Sequence, residues 1–121
     1  MKLLDSSIWL DHLGDKNLKS TSLLQTDEIL FTSILSLFEV GKKLRSLGYS
    51  QTHLFNILGF IKNRSTILNL DEDIITSAIE LSLSKQLAAI DALIYASSLR
   101  VNSTLITADN DFRGLANVEI W

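Results

Sequence analysis

Residues 1–13 read MKLLDSSIWLDHL, and the fold turns on how their two apolar patterns join. Leu3 and Leu4 look like the end of a short buried strand, whereas Ile8, Trp9 and Leu13 recur at helical spacing. Asp5 stands at the joint. As an N-cap, its carboxylate accepts a hydrogen bond from the first helical N–H groups, a contact worth about 1 kcal/mol.

The same alternation continues along the chain. LKSTSLLQ (18–25) suits a short helix, and EILFTS (28–33) reads as a strand whose last residue, Ser33, caps the next helix. From 34 to 47, Ile34, Leu37, Phe38, Gly41, Leu44 and Leu47 follow helical spacing, with Gly48 as a C-cap. Ser50 then starts a second helix with Leu54, Ile57, Leu58 and Ile61 on one face, giving a helical hairpin. TILNL (66–70) is a short strand, and Asp71, Glu72 and Asp73 suit the positive end of the helix that follows. Ile75, Ala78, Ile79 and Leu83 set the apolar face of that helix, which runs to about Gln86. A further helix covers DALIYASSLRV (91–101), although KQLAAI (85–90) has no glycine or proline to mark the break. STLIT (103–107) is a strand, DNDFRGL (109–115) a polar turn and NVEIW (117–121) a terminal strand. Strands alternating with helices predict an α/β three-layer sandwich, a mainly parallel central sheet flanked by helices.

Composition agrees with one domain over residues 1–121. The chain is 46% hydrophobic and 21% charged, which excludes a disordered protein. There is no proline and no Gly/Ser linker to divide it. The absence of cysteine rules out disulfides, thiolate zinc sites and a cysteine nucleophile. No apolar run approaches the ~20 residues of a membrane helix, and MKLLDSS is too short for a signal-peptide core, so a cytoplasmic protein is expected. The net charge of −3 does not itself call for a nucleic-acid partner, but Lys42, Lys43 and Arg45 cluster, as do Lys62 and Arg64. Such clusters also suit solvated helix ends.

The acids carry the chemistry. In parallel α/β sheets, ligands bind at the carboxyl ends of strands. Asp5 directly follows the first strand and Asp109 sits two residues after TLIT, so both point at one rim. Two carboxylates about 4 Å apart repel by ~4 kcal/mol at an effective dielectric of about 20, and such a pair needs a cation or a retained proton. An all-oxygen set suits Mg²⁺ or Mn²⁺ better than zinc. Two further acids are available. Glu39 lies in an apolar-faced helix, where it could instead pair with Lys43 one turn on. Asp91 lies in LAAIDALIYA, the least polar surroundings of any acid here; it could be a helix N-cap, but an uncompensated carboxylate there is costly. His12 and His53 are far apart and read as helix-face residues, and Asp11 as a solvated one.

Taken together, LLDSSIWLDHL, SILSLFEVGKKL, AAIDALIYASSL and LITADNDF resemble the PIN domains, and among these the VapC-type toxin ribonucleases. The likeness spans nearly the whole chain, with four acids in order. It implies that Asp5, Glu39, Asp91 and Asp109 are catalytic acids holding Mg²⁺ or Mn²⁺, with Ser7 and Thr107 as polar neighbours. Asp111 is the alternative fourth acid. It also supplies the helix break before Asp91 that periodicity leaves open. Two departures stand out: Ser6-Ser7 replaces the common Thr-Asn after the first aspartate, and the glycine often found before Asp91 is missing.

What the resemblance implies is a metal-dependent endoribonuclease leaving 5′-phosphate and 3′-hydroxyl ends. Its expected partners are an RNA substrate, a second copy in a homodimer and a cognate antitoxin. The alternative is a catalytically inactive PIN-like module that binds RNA or protein, although such a module has no need of four mutually repelling acids. A receiver-like signalling domain would need a phosphoacceptor aspartate on a central strand and a matching lysine, which this chain lacks.

Overall fold

The computed structural model describes residues 1–14 and 18–121. Five parallel strands form one sheet: β1 (Lys2–Leu4), β2 (Leu30–Ser33), β3 (Thr66–Leu68), β4 (Thr104–Thr107) and β5 (Val118–Ile120). Their spatial order is β3-β2-β1-β4-β5. Between them run helices α1 (Ser6–Leu13), α2 (Leu18–Leu24), α3 (Ile34–Ser46), α4 (Gln51–Arg64), α5 (Glu72–Lys85) and α6 (Ala89–Arg100). A single 3-10 turn, Asn110–Phe112, precedes β5.

The two-residue period of the strands sorts the core into two halves. Leu3 and Leu105 face one side of the sheet with Ile74, Ala78, Ile94 and Tyr95 of α5 and α6. Leu4 and Ile106 face the other, against Ile8 and Trp9 of α1, Leu37 and Val40 of α3 and Ile61 of α4. The central strands are therefore covered on both faces, as parallel sheets require. The three-layer architecture expected from the sequence is present, and every strand pair in it is parallel.

Local signals explain most element ends. Ser33 accepts from the Leu35 N–H, Ser50 from the His53 N–H and Asp71 from the Ile74 N–H, each capping a helix. Gly48 follows α3 in the left-handed region, at φ 91°. Gln86 ends α5 in the same region, so the α5–α6 break needs no glycine. Beyond α3, where Phe38 and Leu47 of the expected apolar pattern are 66% and 61% exposed, two expectations change. First, α5 turns Ile74 and Ala78 inward, leaving Ile75, Ile79 and Leu83 exposed at 41%, 53% and 74%. Adjacent isoleucines at 74 and 75 made the choice of face ambiguous by one residue, or about 100° of rotation. Second, α6 begins at Ala89, so Asp91 lies inside its first turn and is not its N-cap.

A buried polar chain locks the β2 side. The Trp9 indole N–H donates to Thr32 Oγ1 at 3.1 Å, the Thr32 and Ser65 hydroxyls lie 2.7 Å apart, and Ser65 Oγ donates to the Ile61 carbonyl at 2.8 Å. Since Trp9 and Thr32 are fully buried, removing the middle link strands the indole donor. Thr32→Val should therefore lower stability by about 1–3 kcal/mol in urea unfolding, whereas an unchanged midpoint would show that this chain does not support the fold.

Candidate metal centre

The sheet order reverses between β1 and β4. From β1 the chain passes through α1 and α2 to β2 on one side, while β4 pairs with β1 on the other. At such a reversal the carboxyl ends of the neighbouring strands form the crevice where parallel sheets bind ligands. Asp5 and Asp109 occupy that crevice, one just after β1 and one two residues after β4.

Asp5 is only 6% exposed, yet both carboxylate oxygens are held. Oδ1 accepts from the Ser6 N–H at 2.8 Å, so the residue does cap α1. Oδ2 accepts from Thr107 Oγ1 at 2.8 Å and from Ser7 Oγ at 3.3 Å. The same hydroxyls grip the β4 loop: Ser7 Oγ accepts from the Ala108 N–H and Thr107 Oγ1 from the Asp109 N–H, each at 3.0 Å. Ser7 and Thr107 thus orient Asp5 and tie together the two loops that carry the acids. At this corner a serine hydroxyl suffices to make both contacts.

Glu39 reaches the crevice from α3. Its Oε1 accepts from Ser6 Oγ at 3.2 Å. No ion pair to Lys43 forms among the described residues, so the helix-surface pairing allowed by the sequence is not made. Ser6 was not among the site residues inferred from the sequence. Its position beside Asp5 was the available signal, but its contact with Glu39 spans 33 residues and depends on packing of α1 against α3.

Asp91 comes from the first turn of α6 and meets the acids of the β4 loop. One oxygen each of Asp91, Asp109 and Asp111 lies within 4.8 Å of the others. Asp109 Oδ1 accepts from the Asp111 N–H at 2.9 Å, which sets the 3-10 turn and brings both side chains to the same place. Both Asp109 and Asp111 neighbour Asp91, with Asp109 half-buried and Asp111 exposed, and it is Asp109 whose charge also acts on Asp5 and Glu39. His12 and His53 stand apart from the crevice, against Phe60 and Tyr49 respectively.

Crowding shows in the acidities. Burial pushes the Asp5 carboxyl up despite its three hydrogen bonds, and Asp109 adds to the shift. Glu39 is pushed up by burial and by the negative charges of Asp5 and Asp109. Asp91 rises from 3.8 to about 6, first through burial and then through Asp109, Asp5, Asp111 and Glu39. A group of oxygen donors that resist ionising beside one another fits a hard divalent cation, whose positive charge would offset both their burial and their mutual repulsion.

Without divalent ions, the folded protein retains a proton on Asp91 at pH values where the unfolded chain has released it. The contribution of Asp91 to stability therefore falls as pH rises from 3.8 towards about 6 and levels off above that window. Asp91→Asn should weaken this slope and raise the thermal midpoint at neutral pH in chelator. An identical slope in the variant would contradict the proposed repulsion.

Comparison with known proteins agrees with this architecture. The PIN domain model matches residues 2–118. A search of curated proteins finds no match. Among solved structures, a toxin–antitoxin complex from Klebsiella pneumoniae is similar at 22% identity and TM-score 0.81, covering 98% of this chain and 96% of that one. VapBC2 from Rickettsia felis, bound to a DNA fragment from its promoter, is similar at 18% identity and TM-score 0.80, covering 99% and 98%. Mycobacterium tuberculosis VapC20, described as a Sarcin-Ricin loop cleaving toxin, is similar at 15% identity and TM-score 0.73, covering 98% of each chain. With a family model spanning nearly its full length and a fold shared with these structures, the chain belongs to the PIN domain family.

Proposed function

We propose that this PIN domain is a Mg²⁺- or Mn²⁺-dependent endoribonuclease and the toxin of a VapBC-type toxin–antitoxin pair. The observation that carries the reading is the convergence of Asp5, Glu39, Asp91, Asp109 and Asp111 on one crevice, where Asp91 resists ionising until about pH 6. Asp5 and Asp91 are the principal ligands in this reading, with Glu39 and Asp109 binding directly or through water. Asp111 extends the set on its exposed side.

A divalent ion bound there supplies positive charge for the phosphate and makes a water more acidic. The chain's own part is to fix the donors. Thr107 and Ser7 hold one oxygen of Asp5, the Ser6 N–H holds the other, and the Ser6 hydroxyl orients Glu39. Carboxylates fixed in this way accept hydrogen bonds from a water aligned with the scissile phosphodiester. Water adds to phosphorus, the bond to the 3′ oxygen breaks, and that oxygen takes up a proton, leaving a 5′-phosphate and a 3′-hydroxyl.

The described residues contain no helix long and apolar enough to cross a membrane, and the reading implies a cytoplasmic enzyme. Homodimerisation is part of it, supported by the exposed stripe of Ile75, Ile79 and Leu83 on α5. A cognate antitoxin is part of it too, since relatives of the same fold occur in toxin–antitoxin complexes.

The test is incubation of purified protein with total and synthetic single-stranded RNA, with Mn²⁺ or chelator. Cleavage should require the ion and fall at least a hundredfold in Asp5→Asn, whose fold is checked by circular dichroism. Full activity in that variant would overturn the assignment. RNA binding with no cleavage under any condition would favour the inactive binding module.

A further inference from the structure

A cleft of about 410 Å³ opens beside Glu39, between α3 and the start of α6. Its apolar surface comes from Leu35, Phe38 and Ile90, and its edge carries Lys42 and Lys43. Phe38 is 66% exposed, directly before Glu39 in the chain, and Ile90 directly precedes Asp91. Glu39 itself lines the cleft, and Asp91 is next in sequence to Ile90, which does too.

An exposed phenyl ring with flanking ammonium groups is the chemistry that holds single-stranded nucleic acid: bases stack on the ring and phosphates meet the cations. Lys42 and Lys43 are exposed and form no ion pair among the described residues, so their charge is available to a ligand. Arg45 is different, because its guanidinium donates to the Tyr49 carbonyl. Lys43 also lines a second cleft that reaches Ser7, which places it between two openings on either side of α3. Charge complementarity separates this cleft from the α5 stripe, where the surface between Ile75, Ile79 and Leu83 is lined by alanines and serine with no charged residue. The stripe suits another apolar protein face, whereas the cleft suits a polyanion with aromatic bases.

We infer that the cleft formed by Phe38, Leu35, Ile90 and Lys42 is the subsite for an RNA nucleotide flanking the scissile phosphate. Its base stacks on Phe38 and its phosphate is met by Lys42 or Lys43. The inference rests on the ribonuclease reading and deepens it. The role of Phe38 is positioning, since it touches substrate away from the reacting bond.

The experiment is cleavage kinetics on a short single-stranded RNA with Mn²⁺, comparing the unsubstituted protein with Phe38→Ala, Phe38→Trp and Lys42→Ala, each checked for an unchanged melting curve. Phe38→Ala should raise KM about tenfold with kcat nearly unchanged, and Phe38→Trp should restore KM, because stacking needs an aromatic ring. Lys42→Ala should weaken binding and reduce its dependence on salt concentration. An unchanged KM in Phe38→Ala would overturn the inference while leaving the nuclease reading intact. So would a change only in sedimentation, with dimer becoming monomer, since the cleft would then be a subunit contact. If the unsubstituted protein cleaves no RNA, the nuclease reading fails separately, and filter binding of the same RNA decides the subsite. Weaker binding by Phe38→Ala supports it, and equal or absent binding overturns it.

Discussion

Repulsion among carboxylates at the carboxyl ends of β1 and β4 is the constraint around which this small domain is organised. Burial and mutual repulsion together make these carboxylates resist ionising, most strongly Asp91, which is pushed up to about 6. The structure meets this strain with hydrogen bonds rather than opposite charge: Ser6, Ser7 and Thr107 all serve Asp5. No lysine or arginine pairs with these acids among the described residues. Backbone pairing adds rigidity, because the Asp5 N–H donates to the Ile106 carbonyl at 3.0 Å and joins the two strand ends that carry Asp5 and Asp109.

That arrangement has consequences beyond the crevice. A buried Asp5 needs rigid walls, and these come from the fully buried Leu3, Leu4, Leu105 and Ile106 beneath it, packed from both faces of the sheet. Asp91 and Glu39 arrive on helices whose next turns are anchored in the core, by Ile94 and Tyr95 on α6 and by Val40 and Leu44 on α3. The acids can therefore approach one another without the backbone relaxing to separate them. Cations remain at the edge, on Lys42 and Lys43, where they can neutralise a polyanion without neutralising the site.

Much of this could be read before any coordinates. Asp5 between Leu4 and an apolar helix, and Asp91 among alanines, isoleucine and leucine, are placements that make a charge expensive, and expense is visible in sequence. Leu3 and Leu4 announced the end of a short buried strand. Other features depend on tertiary contacts that periodicity does not encode. Ile74 and Ile75 are equally apolar, so only packing against α6 decides which turns inward. Gln86 accepts a left-handed backbone that its side chain does not advertise. The Ser6–Glu39 contact joins two helices distant in sequence, and Asp109 and Asp111 are brought to one place by a 3-10 turn too short to show a pattern.

The central claim is that these acids form one divalent-ion site, and thermal unfolding in a Mn²⁺ titration tests it without any knowledge of the RNA target. At about a hundred times the dissociation constant, a bound ion stabilises the fold by ~2.7 kcal/mol, which should raise the midpoint of the unsubstituted protein by several degrees. Asp91→Asn should lose most of that gain. If neither protein responds to Mn²⁺ or Mg²⁺, or if both respond equally, the carboxylates do not act together as a metal site and the account is wrong.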